Sequence, residues 1–295
     1  MSARVAAFFD LDGTLLPLPS LEQRFFRALC YRREIPLTNY FLWCREALKL
    51  LPHGISRAMQ ANKMYLRGVH NFVESGAENP IDSRTHKSGH PSQLRASGEE
   101  GRASMPPRRN PRWPVPHFFE EGVKRLAWHA MQGHAIVIVS GTLEPLANAT
   151  ARALITEVAA LEVTPNIRVC ATRLEESNGS WTGRLWGEAM FGKAKGSAVL
   201  RVADEMSLDL SQSWAYGDSA QDRWMLAAVG NPVAVNPSAR LARITKKRGW
   251  PVLRWSAGKD LTQSSQRTRR AHRRGSRREE LLISECGVQD AERCA

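Results

Sequence analysis

Phe8-Phe9-Asp10-Leu11-Asp12-Gly13-Thr14 places two aspartates one residue apart at the end of an apolar run. Val5 to Phe9 is continuously apolar, the pattern of a strand buried on both faces in a parallel sheet. Asp10 then falls at the C-terminal edge of that strand, where open α/β sheets place their ligands. Asp12, two residues on, emerges on the same side if the chain stays extended. Gly13 permits a sharp turn and lets the backbone approach an anion. The bland alternative is a loop that merely begins with acidic residues.

Three later segments carry compatible chemistry. Ala135-Ile136-Val137-Ile138-Val139-Ser140-Gly141-Thr142 is a second buried-strand pattern ending in a hydroxyl and a glycine. A serine there can hydrogen-bond a phosphoryl oxygen, and Gly141 exposes its N–H to the same group. Lys195 lies in Gly192-Lys193-Ala194-Lys195-Gly196, which opens a helical pattern through Val199, Leu200, Val202 and Ala203. A cation here can neutralise developing charge beside a carboxylate; Lys193 is a competitor for the role. Trp214-Ala215-Tyr216-Gly217-Asp218-Ser219-Ala220-Gln221-Asp222 delivers a carboxylate to a third strand end. Asp218 and Asp222 lie four apart and share a direction if a helix begins near Ser219. Clustered carboxylates repel one another unless a cation lies between them, and hard oxygen ligands suit Mg²⁺.

In this order, on a strand–helix alternation, the four segments resemble the motif set of the haloacid dehalogenase superfamily, in its phosphoserine phosphatase-like subfamily IB. The resemblance covers residues 1–75 and 117–255. It extends to Gly230–Pro237 and Arg248–Leu253, which look like the strand and tail segments after the last motif. It implies an α/β fold: a Rossmann-like, mainly parallel sheet with helices on both faces, plus a helical cap inserted after the first strand. It implies a Mg²⁺-dependent phosphatase acting on a small phosphorylated substrate. Asp10 would take the phosphoryl group as an aspartyl-phosphate. Asp12 would protonate the leaving oxygen and then activate water. Gly13, Ser140 and Gly141 would bind phosphoryl oxygens, and Lys195 would steady the charge. Mg²⁺ would be held by Asp10, the backbone carbonyl of Asp12, and Asp218, with Asp222 supporting from behind. Phosphoryl transfer to an acceptor other than water fits the same motifs. Gln221 departs from the Asn that commonly precedes the last Asp.

Organisation along the 295 residues is uneven. The expected catalytic core comprises 1–16 and 117–255. A cap spans 17–116, with a low-complexity insertion at 75–116, and a basic tail follows at 256–295. Leu21, Phe25, Phe26 and Leu29 recur at helical spacing, as do Tyr40, Phe41, Cys44, Leu48 and Leu51. These aromatics either pack within the cap or, with Trp43, line a pocket for an apolar substrate or lipid surface. Residues 75–116 are too polar to offset their ordering entropy and read as a flexible insertion. A helical pattern resumes at Phe118–Met131, and a further strand spans Ile167–Arg173. Asn178-Gly179 is a hairpin-turn signal with Trp181–Leu185 as the returning arm.

Net charge is +13, and seven arginines lie between Arg267 and Arg278. Such a run is a solvated tail or a weak polyanion-binding segment, and it raises the rival reading of a nucleic-acid or anionic-surface binding protein. No aromatic residue interleaves it, and no nucleic-acid fold signature is found. No apolar run approaches the roughly 18 residues of a membrane-spanning helix. The N-terminus runs almost directly into the first strand, so no signal peptide is expected. Five cysteines without metal-type spacing suit a reduced cytoplasmic setting. Substrate identity is the weakest point of the resemblance. Phosphoserine phosphatases carry a glutamate about nine positions after the nucleophile, where this chain has Pro19, with Glu22 the nearest carboxylate. Some relatives act on lipid-linked phosphates.

Overall fold

The computed structural model of the protein describes residues 4–53, 60–70 and 117–256. The expected insertion at 75–116 and the basic run Arg267–Arg278 lie outside them. Eight strands occur among these residues: β1 (Ala6–Phe9), β2 (Ala135–Leu143), β3 (Ile167–Thr172), β4 (Leu174–Ser177), β5 (Ser180–Leu185), β6 (Trp214–Gly217), β7 (Asn231–Val235) and β8 (Val252–Leu253). The helices are α1 (Leu21–Tyr31), α2 (Leu37–Leu50), α3 (Glu120–Met131), α4 (Glu144–Ala159), α5 (Lys193–Met206), the short α6 (Arg223–Leu226) and α7 (Ala239–Arg248). All lie in the unit that ends at Trp255.

Six strands form one parallel sheet in the order β3-β2-β1-β6-β7-β8. The expected α/β architecture is therefore present, with β1 in the interior of the sheet. The chain builds outward from β1 through β2 to β3, then returns to build β6, β7 and β8 on the other side. That reversal opens a crevice at the carboxyl ends of β1 and its neighbours, the usual place for a ligand in such sheets.

The continuous apolar run of β1 is explained by helices on both faces. Ala7 and Phe9 pack with Leu126 and Ala127 of α3 and Ala151 and Leu154 of α4. Ala6 and Phe8 pack with Val199 and Val202 of α5, Met225 of α6 and Leu241 of α7. Successive strand residues point to opposite faces, so all four are buried. Phe9 stacks on Tyr216 of β6, with ring centroids 4.6 Å apart and planes at 8°. The Tyr216 hydroxyl meets Nε2 of buried His129 at 2.8 Å, which ties β6 to α3.

The Asn178-Gly179 turn forms as the sequence indicates, joining β4 to β5 with φ of 53° and 71°. Two positive φ values are what a type I′ hairpin requires. Trp181 on β5 is buried edge-on against Phe25 of α1, 5.9 Å between centroids, within a third cluster that includes Leu29, Tyr65, Leu66, Leu143 and Leu146. This cluster joins the helical layer to the end of β2.

α2 forms where the helical spacing indicates, but Phe41, Cys44, Leu48 and Leu51 are exposed, Phe41 at 77%. Of the two alternatives for Phe41, packing within the cap is therefore not the one seen. The opposite side is held instead by Asn39, whose side-chain amide donates to the carbonyls of Tyr65 (3.2 Å) and Arg67 (2.7 Å). A buried amide with satisfied donors fixes the rotation of the helix, and apolar periodicity does not register it. Phe25 and Phe26 do pack inward, and Trp43 is half-buried. Among the described residues no helix is long and apolar enough to cross a membrane.

β1 also depends on one hydroxyl. Ser213 Oγ accepts from Ala6 N (3.0 Å) and donates to Asp209 O (2.6 Å), with Ser213 fully buried. Ser213→Ala leaves the Ala6 N–H without its partner and is expected to cost about 1–3 kcal/mol, read as a lower urea midpoint at unchanged m. A variant as stable as the native chain would contradict this account of the strand.

Candidate functional site

Three adjacent strand ends supply the site. β1 delivers Asp10, β2 delivers Ser140, and β6 delivers Asp218 one residue after Gly217. Asp10 N donates to Tyr216 O at 3.0 Å, so the first carboxylate is fixed to the edge that presents the second. The chain then turns tightly: Gly13 N donates to Leu16 O (2.7 Å), and the N–H groups of Thr14, Leu15 and Leu16 converge on Leu11 O. Gly13 has φ +86°, and a Cβ there would lie 2.3 Å from Asp218 Oδ2. The turn needs glycine for both reasons.

Lys195 occupies the third position of α5, whose N-cap is Gly192 at φ +57°. Its ammonium is buried, 3% exposed, and donates to Asp10 Oδ1 (2.7 Å) and Asp222 Oδ1 (2.5 Å). Lys193, the competitor, instead stands 5.5 Å over the ring of Trp224. The second oxygen of Asp222 accepts from Ser219 N and Ser219 Oγ, both at 2.8 Å. Asp222 is thus fully engaged by the protein. The helix expected near Ser219 is not what orients it. Residues 219–222 form a turn, α6 starts at Arg223, and Gly217 makes room, since a Cβ there would lie 2.5 Å from that of Asp222.

Asp10, Asp218 and Asp222 each bring a carboxylate oxygen within 4.8 Å of the others. Burial pushes the Asp10 carboxyl well above its ordinary pKa; the neighbouring Asp222 and Asp218 push the same way, and Lys195 opposes them. Burial and then Asp222 raise Asp218 to about 7. Burial alone would lower Lys195, but the two carboxylates more than offset it, so its pKa is raised. Three carboxylates and one ammonium leave two negative charges in a desolvated site. A divalent cation meets that deficit, and its hard oxygen donors are already gathered, so the residues fit such an ion. Asp12 is set apart: burial raises its carboxyl to about 6, while Leu21 N, donating to Oδ1 at 2.8 Å, opposes the rise.

Ser140 is buried, and its Oγ accepts from Thr142 N at 3.3 Å. Gly141 is small for a reason the sequence does not announce: a Cβ would lie 2.3 Å from the Phe191 ring. Phe191 walls a cavity of about 400 Å³ together with Gln60, Leu185, Glu188 and Lys193. Gln221 places its Oε1 against Gly192. Two hydroxyls were missed. Thr14 and Thr142 are buried and, among the described residues, have no hydrogen-bond partner. Each sits inside a motif segment, and that adjacency was the available signal. A buried hydroxyl without a partner costs about 1–3 kcal/mol, which an incoming oxyanion would recover.

The sequence model of the haloacid dehalogenase-like hydrolase family matches residues 7–227. The chain is 29% identical over 250 residues to phosphoserine phosphatase SerB1 of Mycobacterium tuberculosis, spanning 84% of this chain and 70% of that protein. It is 32% identical over 143 residues to histidinol-phosphatase of Neisseria meningitidis, covering 47% and 60%. The crystal structure of a protein of unknown function from Bordetella pertussis superposes with TM-score 0.56 at 24% identity, covering 85% of this chain and 99% of that one. That likeness is one of fold.

Asp218 titrates near 7 when folded, against an ordinary 3.8. The native state therefore holds the extra proton between these values, and stability falls as pH rises through that window. Relative to Asp218→Asn, the metal-free native protein is expected to lose stability between pH 5 and pH 7.5. The comparison cancels the opposite contribution of buried His129, whose pKa is lowered to about 3. Mg²⁺ should raise the native midpoint more at pH 7.5. Lys195→Met strands Asp10 and Asp222 and should cost about 3–5 kcal/mol at pH 7.5, less at pH 5. A native chain whose pH dependence matches that of Asp218→Asn would contradict this charge balance.

Proposed function

The chain belongs to the haloacid dehalogenase-like hydrolase family, and on that premise we propose that it is a Mg²⁺-dependent phosphatase that cleaves a phosphomonoester through a phosphoryl group carried on Asp10. The observation that carries this reading is the Lys195 ammonium bridging Asp10 and Asp222 inside a buried three-carboxylate cluster. The names of the mycobacterial and neisserial relatives, both phosphatases, support it.

The chemistry assigned to each residue follows from its surroundings. Lys195 holds Asp10 Oδ1, which leaves Oδ2 as the attacking oxygen. That oxygen forms a bond to phosphorus as the ester P–O bond breaks, and the leaving alcohol takes a proton from Asp12. With a carboxyl near 6, Asp12 is protonated often enough to act as the acid and ionised often enough to serve as the base. It then removes a proton from water, whose oxygen attacks phosphorus and returns Asp10 as a free carboxylate. A nucleophile of this kind splits one hydrolysis into two easier displacements. Gly13, Ser140 and Gly141 are assigned to the phosphoryl oxygens, and the orphan hydroxyls of Thr14 and Thr142 are available to the same group. Mg²⁺ held by Asp10, the Asp12 carbonyl and Asp218, with Asp222 in support, would offset the repulsion between these carboxylates and an anionic ester. Residues 17–116 are assigned to a cap that contacts the leaving alcohol, because the core addresses only the phosphoryl group.

The test is phosphate release from para-nitrophenyl phosphate and a panel of small esters, with Mg²⁺ and with chelator. Asp10→Asn should lower kcat by at least about 10³-fold, and Asp12→Asn by about 10²–10⁴-fold. Acid-quenched native protein should carry a hydroxylamine-labile phosphoryl group that Asp10→Asn lacks. Native protein no faster than Asp10→Asn on every ester would overturn the proposal.

A further inference from the structure

Beside Asp12 lies a second ion pair, its lysine buried and its glutamate half-buried, that the proposed phosphoryl chemistry does not use. Leu21 N donates to Asp12 Oδ1 at 2.8 Å, so Glu22, the next residue in the first turn of α1, flanks the assigned acid. Its charge reaches Asp12, whose carboxyl it helps to raise. Glu22 Oε1 accepts from Lys63 Nζ in a close ion pair and from Tyr65 OH at 2.7 Å. Lys63 is 3% exposed and Tyr65 is buried, set edge-on to Phe26 at 5.2 Å. Asn62 and Met64 fix the segment: Asn62 Nδ2 donates to Trp43 O (2.7 Å), and Met64 N donates to Asn62 Oδ1 (3.2 Å). The pair is built into the helical layer and does not drift on its surface.

Resting on the phosphatase reading above, we propose that Glu22, Lys63 and Tyr65 form the subsite for the leaving alcohol, and that they select an alcohol bearing a neutral hydroxyl over one bearing an ammonium or a carboxylate. The argument is one of charge and valence. Glu22 and Lys63 sum to zero. Among the described residues Glu22 Oε2 accepts no hydrogen bond, and Lys63 spends one of its three donors. The pair therefore offers one open acceptor and two open donors with no net charge. A hydroxyl can donate to Glu22 and accept from Lys63 at once, leaving the balance intact. An ammonium can donate to Glu22 Oε2, but it brings a positive charge that the neutral pair does not balance. A carboxylate can accept from Lys63, but it brings an unbalanced negative charge beside Asp12. Either ester leaves one uncompensated charge in a site largely out of water, which is costly.

The experiment compares three esters of matched size on the full chain with Mg²⁺: 2-hydroxyethyl, 2-aminoethyl and carboxymethyl phosphate. Para-nitrophenyl phosphate serves as a reference for the chemistry itself. The native protein should favour the hydroxyethyl ester in kcat/KM by at least about tenfold over each charged ester, mainly through KM. Lys63→Met frees Glu22 and should move the ratio toward the aminoethyl ester. Glu22→Gln frees Lys63 and should move it toward the carboxymethyl ester. Ratios are read within each variant, so a general loss of activity cancels, and a cooperative melt certifies folding. A native preference for either charged ester overturns the proposal, as do variants that shift all three esters alike. If the para-nitrophenyl ester is also untouched by the native chain, the phosphatase reading fails and this subsite falls with it. If that ester turns over while the three ratios stay flat, only the subsite fails.

Discussion

The buried contact of Lys195 with Asp10 and Asp222 is the constraint around which the site is arranged. An ammonium removed from water needs at least one close carboxylate, and here it takes two. Meeting both requires α5 to enter from beneath the strand ends, which Gly192 allows by its positive φ. It also requires Asp222 to fold back over Gly217, where any side chain would collide. Asp10 must be held still, and its N–H on Tyr216 O does this. The glycines, the strand register and the helix entry thus follow from one electrostatic requirement. That requirement is only half satisfied by the protein, because the third carboxylate, Asp218, has no such partner and its pKa rises to about 7.

Much of this was legible because buried parallel strands write themselves as uninterrupted apolar runs. Val5–Phe9 and Ala135–Val139 are each followed directly by the residue that the sheet carries to the crevice, Asp10 and Ser140. The adjacency of their ends follows from sheet order, which the sequence motifs imply only through their resemblance. Other features depend on distance in space and leave no periodic trace. Lys193 and Lys195 are indistinguishable in composition, and only the entry of α5 sends one to Asp10 and the other to Trp224. Asp218 and Asp222 are four apart, which suggests a helical face, yet a turn and a glycine bring them together. Gly141 looks like a backbone donor and also proves to be the floor under Phe191. The rotation of α2 is hidden for a related reason: Asn39, a polar residue in an apolar pattern, sets its orientation.

The helical layer and the sheet are joined through few residues, and their placement matters. α1 begins at the oxygen of Asp12, with Ser20 capping the helix through Gln23 N. Trp181 and Leu143 tie the same layer to the ends of β5 and β2. A change in how α1 sits therefore alters the hydrogen bond on Asp12 directly. The residues proposed to contact the leaving alcohol and the residue proposed to protonate it are thus mechanically one piece.

The different tasks proposed for Asp10 and Asp12, two residues apart, rest on different surroundings. Burial raises both, but their neighbours differ. Asp10 shares its lysine with Asp222 and faces Asp218, so added positive charge in the cluster favours its ionised, nucleophilic form. Asp12 is inclined to keep a proton chiefly by burial and also by nearby Glu22, while the single backbone N–H of Leu21 opposes them. An anionic ester entering the site would strengthen that tendency, since negative charge near Asp12 disfavours its carboxylate. Departure of the alcohol would reverse it. The acid and the base of the proposed cycle are then the same group, switched by the charge that passes it. Environments that push neighbouring carboxyls apart in this way are how a single fold runs both halves of an acid–base reaction near neutral pH.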